Sequence, residues 1–267
     1  MSDFDLRFGG IGRLFGIEAL ARLRTAHVCV VGVGGVGSWA VEALARSGVG
    51  HLTLVDLDEV CVSNVNRQLH AINADVGRAK VEVMAERVRG INPECDARGA
   101  AEFFTASNAD ALLNTHYDFV VDAIDSLKNK CLLIARCREA GIPIITCGGA
   151  GGRRDPTQTR VADLALTSHD RLLQKVREKL RREFGFPRGE KEFGVPAVFS
   201  AEPPMFPTSD GTVCSQRPGD KDGESLKLNC ESGFGTATFV TGTFGFAAAA
   251  HVVQAIAVKA AETPRPR

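Results

Sequence analysis

Arg67 and Lys80 are the side chains best suited to hold a dense negative charge, and Arg67 sits among three amides in Ser63-Asn64-Val65-Asn66-Arg67-Gln68. A guanidinium forks onto two oxygens, an ammonium adds a point charge, and neutral amides fix orientation. That set exceeds what a nicotinamide cofactor needs and suits a triphosphate. Upstream, Val28-Cys-Val-Val-Gly32-Val-Gly34-Gly35-Val-Gly37 reads as a strand entering a glycine turn that opens a helix, and Asp56 follows nineteen residues after Gly37. Glycines at 32, 34 and 37 allow a tight turn, close approach to phosphate and close helix packing, while Asp56 ends the next strand where a ribose hydroxyl would lie. Alone, that turn fits a nicotinamide dehydrogenase equally well. Asp122 and Asp125 follow the apolar run Tyr117 to Val121, at a carboxyl strand end from which magnesium takes its protein oxygens. Asp125 is the metal candidate; Asp122 suits metal or structure equally.

The elements that must carry these residues alternate. Strands are predicted at 27–31, 51–55, 116–121 and 143–146, with helices from Ser38 to Ser47, from Lys80 to about Ile91, and from Leu127 to Ala140. Such alternation demands a parallel sheet. The expected fold is α/β, a Rossmann-like, doubly wound, mostly parallel sheet with an additional carboxyl-terminal mixed-sheet and helix region. One domain is expected over 1–262: a nucleotide-binding core at 26–152, then a substrate-side half with dimer contacts at 153–262. Residues 263–267 read as a disordered tail. The segment Phe184 to Gly194, rich in Gly, Pro and charge, reads as a mobile crossover. Residues 232–258 carry no Asp, Glu, Lys or Arg and are long enough to span a bilayer. Their four Gly and four Thr favour close packing in a core or dimer interface instead.

Taken in order, Gly32 to Gly37, Asp56 with Asp58, Asn64 to Gln68, Lys80 and Asp125 make residues 5–152 resemble the ATP-dependent adenylating enzymes related to ubiquitin-activating enzyme. The resemblance implies ATP and Mg²⁺ as cofactors. It implies catalytic roles for Arg13, Arg67, Lys80 and Asp125, with Asp125 on the metal. Gly32, Gly34, Gly35, Gly37, Asp56, Asp58, Asn64, Asn66, Gln68 and Lys80 would surround the nucleotide. Arg7-Phe-Gly-Gly-Ile-Gly-Arg13 is similar to the family's amino-terminal element, which implies a homodimer in which Arg13 reaches the terminal phosphate of the neighbouring subunit's ATP. Beyond residue 152, Asp155-Pro-Thr-Gln, the strand Thr159 to Leu164, Ser209 to Cys214 and Cys230-Glu-Ser-Gly-Phe-Gly-Thr-Ala-Thr resemble the branch that dehydrates threonylcarbamoyladenosine in bacterial tRNA. The implied chemistry is adenylation of a carboxylate, then intramolecular capture with loss of AMP, so no protein nucleophile is required. Two other readings remain: adenylation of a small sulfur-carrier protein's carboxyl terminus, and a nicotinamide dehydrogenase or non-catalytic nucleotide-binding module.

Composition narrows the partners. With 32 basic and 32 acidic residues the net charge is zero, which argues against a general nucleic-acid binder and against DNA. Contact with tRNA must then rest on a local patch, available in the eight Lys or Arg between Arg171 and Glu192 and in Arg153-Arg154. The eight cysteines form no Cys-x-x-Cys pair, so neither zinc nor a disulfide framework is expected. Met1 to Leu6 lacks an export signal, and the expected compartment is the cytoplasm, with a membrane location disfavoured. Cys230 could take sulfur from a relay protein or be a small buried hydrophobe. His70 and Cys147 lie near the motifs without an assigned role.

Overall fold

A computed structural model describes residues 2–189, 191–208, 210–215 and 234–258. In chain order it forms α1 (Asp3–Phe15), α2 (Ile17–Thr25), β1 (His27–Val31), α3 (Gly37–Arg46), β2 (His51–Val55), α4 (Lys80–Ile91), β3 (Asp96–Ala100), α5 (Ala109–Leu113), β4 (Phe119–Asp122), α6 (Leu127–Glu139) and β5 (Ile144–Cys147). There follow β6 (Thr159–Asp163), α7 (Arg171–Glu183), β7 (Pro196–Ser200), the short β8 (Phe206–Pro207) and β9 (Val213–Cys214), and α8 (Thr238–Val258). Seven strands make one sheet in the order β3-β2-β1-β4-β5-β7-β6, parallel except for β6 against β7. β8 and β9 pair separately. The chain order reverses between β1 and β4, and a sheet of this kind opens its ligand crevice at that switch point, beyond the carboxyl strand ends.

Both faces of the sheet are covered. Along β1, Val28 and Val30 join a core with α3, α4 and α8, whereas Cys29 and Val31 face a second core with α6 and α7. Burial on both sides explains why β1 is a continuous apolar run and not an alternating one. β4 starts at Phe119, three residues later than expected; at Asp118 just before it, the carboxylate and not the main chain accepts the His27 N–H, at 2.9 Å.

Helix α8 is long and apolar enough to cross a bilayer, yet Val240, Phe244, Ala248 and Val252 are buried in the first core. A side chain at Gly245 would lie 2.5 Å from the Val36 carbonyl, so glycine lets α8 lie directly on α3. The crossover Phe184 to Gly194 carries packing contacts that its composition does not announce. Phe186 and Phe193 are buried with rings 5.1 Å apart, the Arg138 and Arg181 guanidinia cover them, and the N–H groups of Phe193 and Gly194 donate to Asp163. Apolar anchors and a carboxylate clamp hold the described residues on both sides of residue 190, which lies outside the described residues.

Candidate active site

A cleft of about 1390 Å³ opens over the carboxyl ends of β1, β2, β4 and β5. Gly32, Gly34, Gly35, Asp56, Asp58, Asn64, Asn66, Arg67, Gln68, Lys80 and Asp125 all line it. Gly37 stands one step back: a Cβ there would come within 1.8 Å of the Gly32 carbonyl, so the first turn of α3 can close only on glycine. Gly32 itself has φ 89° and would meet the Ala123 carbonyl at 2.8 Å. The same close approach brings the loop after β4, with Asp125, against the glycine turn.

Asp56 holds that turn. Its carboxylate accepts N–H bonds from Val33 at 2.7 Å and Asp58 at 2.9 Å. Burial pushes its pKa up, while Lys80 and these backbone donors pull the other way. Lys80, the first residue of α4, is buried and puts its ammonium 2.8 Å from the half-exposed Asp58 carboxylate. Arg67 is set by its backbone: Trp39 Nε1 and Thr241 Oγ1 both donate to its carbonyl, at 3.0 and 3.2 Å. Its guanidinium leans on the Ser63 carbonyl and Asn66 Oδ1.

The three amides differ in use. Asn64 is buried and its Oδ1 accepts the Cys61 N–H, which shapes the turn. Asn66 donates to the Thr236 carbonyl at 2.9 Å, tying the Arg67 segment to the entry of α8. Gln68 is buried on the cleft wall with Oε1 unpartnered, the one amide oxygen here still in want of a donor.

The two aspartates after β4 separate cleanly. Asp125 is exposed at the cleft, but Asp122 is fully buried, 2.8 Å from Lys130 Nζ, and also accepts the Thr146 hydroxyl at 2.7 Å. Asp122 therefore serves structure, and its other oxygen accepts the Ile124 N–H of the loop that carries Asp125. Lys130 escaped the sequence reading, although a lysine beside Cys131 and Ile134 on the buried face of a helix is the available signal for a partnered charge. Among the described residues no group of three or more His, Cys, Asp or Glu could hold a metal. The exposed Asp125 carboxylate beside a phosphate site still suits Mg²⁺, which commonly takes one or two carboxylates and the substrate's own oxygens.

Other candidates fall outside the cleft. Arg13 is exposed in the last turn of α1 and does not line the cleft. His70 is 3% exposed with both ring nitrogens unpartnered, and burial, with Lys80 nearby, pulls its pKa down to about 4. Burial drives the Cys147 thiol up to about 12, so it is no nucleophile. Cys230 and the tail 263–267 lie outside the described residues. In the basic patch, Arg153 is only 4% exposed and donates to the His169 carbonyl, and Arg181 is spent on the Pro187 and Gly189 carbonyls. Neither is a free phosphate contact as its sequence position suggested. Arg154, Arg171, Lys175 and Arg188 do face solvent.

A glycine turn at a switch point, with a guanidinium, an ammonium and carboxylates converging on it, defines a nucleotide-binding α/β protein made for polyphosphate chemistry. The chain belongs to the ThiF family, whose model matches residues 11–267. It is 52% identical to the tRNA threonylcarbamoyladenosine dehydratase of Escherichia coli K12, over 96% of this chain and 95% of that one. The enzyme of the same name from Haemophilus influenzae is 49% identical over 97% and 96%. The crystal structure of the E. coli tRNA N6-threonylcarbamoyladenosine dehydratase TcdA in complex with ATP superposes with a TM-score of 0.87, at 47% identity and over 98% and 99% of the two chains.

Proposed function

We infer that this protein is an ATP-dependent dehydratase of threonylcarbamoyladenosine in tRNA. The observation that carries the reading is the convergence of Arg67, Lys80, Asp56 and Asp125 on one glycine turn, in a chain that matches such dehydratases nearly end to end. The carboxylate of the threonylcarbamoyl group attacks the α-phosphorus of ATP and pyrophosphate leaves. A nucleophile of the substrate itself then attacks the acyl carbon, AMP leaves with one carboxylate oxygen, and the ring closes. The net loss from the substrate is one water.

The residues divide this work. Negative charge builds on the phosphate oxygens during attack, and Arg67, Lys80 and the N–H groups of the glycine turn oppose it from fixed positions. Asp56 takes the ribose. Gln68 lines the nucleotide end of the cleft beside Gly34. Asp125 holds Mg²⁺, which neutralises phosphate charge when bound. The substrate's tether supplies the high effective molarity that lets the second step proceed without a protein nucleophile.

The working unit is a homodimer in which Arg13 serves the other subunit's ATP. Supporting this, the apolar residues Leu6 and Leu14 on α1 with Arg13, and Ile17 at the start of α2, are exposed and want cover. Arg154, Arg171, Lys175 and Arg188 meet tRNA phosphates, and the cytoplasm, where ATP and tRNA meet, is where such an enzyme works. Incubation with ATP and tRNA bearing threonylcarbamoyladenosine, followed by nucleoside mass spectrometry, tests the reading. A product lighter by one water, dependent on ATP, is expected. Unchanged nucleoside with an active carrier-protein adenylation would favour the sulfur-carrier alternative instead.

A further inference from the structure

We propose that Phe234 is the platform on which the adenine of the substrate nucleoside stacks, so that the half of the cleft beyond β5 is a nucleobase subsite. The proposal rests on the dehydratase reading and assigns a place to its RNA substrate. Single-ligand pockets run to roughly 300–1,000 Å³, so a cleft of about 1390 Å³ has room beyond one nucleotide. The reactive carboxylate also limits where the base can be. Only a carbonyl carbon, a nitrogen and an α-carbon separate it from N6 of the adenine, a reach of about 6 Å when extended. The base must therefore share the cleft with the α-phosphate.

The charged lining residues of the cleft, Asp56, Asp58, Glu59, Arg67, Lys80 and Asp125, all belong to segments that follow β2 and β4 or open α4. Among the described residues, the lining from Gly148 onward is glycine backbone with Ala150, Leu172, Phe234 and threonines, and it carries no charge. Such a wall suits an uncharged ring better than a phosphate. RNA-modifying and RNA-reading proteins take unpaired bases by stacking them on aromatic side chains, an interaction available to any π face.

Phe234 is set for that use. A Cβ at Gly151 would come within 2.9 Å of the Phe234 Cβ, and one at Gly152 within 2.9 Å of its ring, so the two glycines are the seat of the aromatic side chain. The Phe206 ring supports it at 5.2 Å. Directly after the ring the backbone is held by Gly152 N–H donating to the Gly235 carbonyl at 2.8 Å and by Asn66 donating to the Thr236 carbonyl. The second bond runs to the neighbour of Arg67, which makes the base platform and the phosphate site one braced unit. Pre-set rings bind at low ordering cost.

The test uses the full-length protein with ATP and tRNA carrying threonylcarbamoyladenosine, comparing wild type with Phe234→Ala, Phe234→Leu and Phe234→Tyr. Loss of the ring should raise the KM for modified tRNA roughly 10-fold or more, on the scale of one stacked base. Free threonylcarbamoyladenosine should compete correspondingly more weakly, and ATP affinity measured by calorimetry should stay within twofold. Tyr should restore the wild-type values and Leu should not, which separates stacking from filling of space and covers the case in which Ala disturbs folding. If wild type does not dehydrate the nucleoside, the parent reading falls and the subsite with it. If wild type is active and the Leu variant keeps its KM and its competition constant, the base lies elsewhere and only the subsite is wrong.

Discussion

The two halves of the cleft solve opposite problems. Over β1, β2 and β4, charged groups crowd together, and each is braced: Lys80 against Asp58, the Asp56 carboxylate against two N–H groups, and the Asp125 loop against a buried Asp122–Lys130 pair. Beyond β5 the wall, among the described residues, is glycine backbone, small or apolar side chains and the Phe234 ring, with the backbone after the ring held by two carbonyl hydrogen bonds. Charge in a cleft must be preorganised because uncompensated reorganisation would cost rate, whereas a neutral ring needs only a seat. Electrostatic supports therefore lie under one half and steric ones under the other, and the halves should respond differently to the same kinds of damage.

The largest effect should come from removing a support that touches no ligand. Lys130→Met leaves Asp122 buried without its counter-ion, a loss of about 3–5 kcal/mol, and thermal unfolding should fall by roughly 8 °C or more. Adding Asp122→Asn should recover part of that loss, since the uncompensated charge goes with it. If Lys130→Met melts with wild type, the buried pair is not what carries the charged half. Next in size, Arg67→Ala or Lys80→Ala should slow pyrophosphate release more than ~100-fold with the fold intact, the scale of one preorganised transition-state donor. Undiminished release from a folded variant would move the phosphate site elsewhere.

Much of this division was legible beforehand, and the reasons are local. Gly32, Gly34, Asp56, Arg67 and Lys80 announce themselves because their chemistry depends on residue type at short spacing, and strand and helix signals put them on the right strand ends. Asp122 was ambiguous from sequence since its partner is eight residues away on a helix whose buried face had to be known first. Arg153 and Arg181 looked like free surface charge because burial and carbonyl partners come from tertiary packing. Phe186 and Phe193 were hidden by the Gly, Pro and charged residues around them. The substrate half was least legible of all: glycine and phenylalanine have no pattern that distinguishes a seat for a base from ordinary core.

A smaller effect should separate the halves by acid. His70 is neutral when folded, with a pKa of about 4 against an ordinary 6.5. The unfolded chain thus binds the extra proton between these values, and stability present above pH 6.5 is lost as pH falls toward 4. About 2 kcal/mol should disappear between pH 7 and pH 5. His70→Phe should flatten the denaturation midpoint over that window; an unchanged slope would mean that His70 titrates normally.

The central claim is that this cleft activates a carboxylate by adenylation, and oxygen tracing tests it most directly. Modified tRNA carrying ¹⁸O in the threonyl carboxylate should be incubated with the enzyme and unlabelled ATP, and the released AMP and pyrophosphate analysed by mass spectrometry. One ¹⁸O per turnover in AMP, and none in pyrophosphate, is the predicted result. Label in pyrophosphate or inorganic phosphate, or AMP formed without label while the nucleoside loses water, would contradict the account.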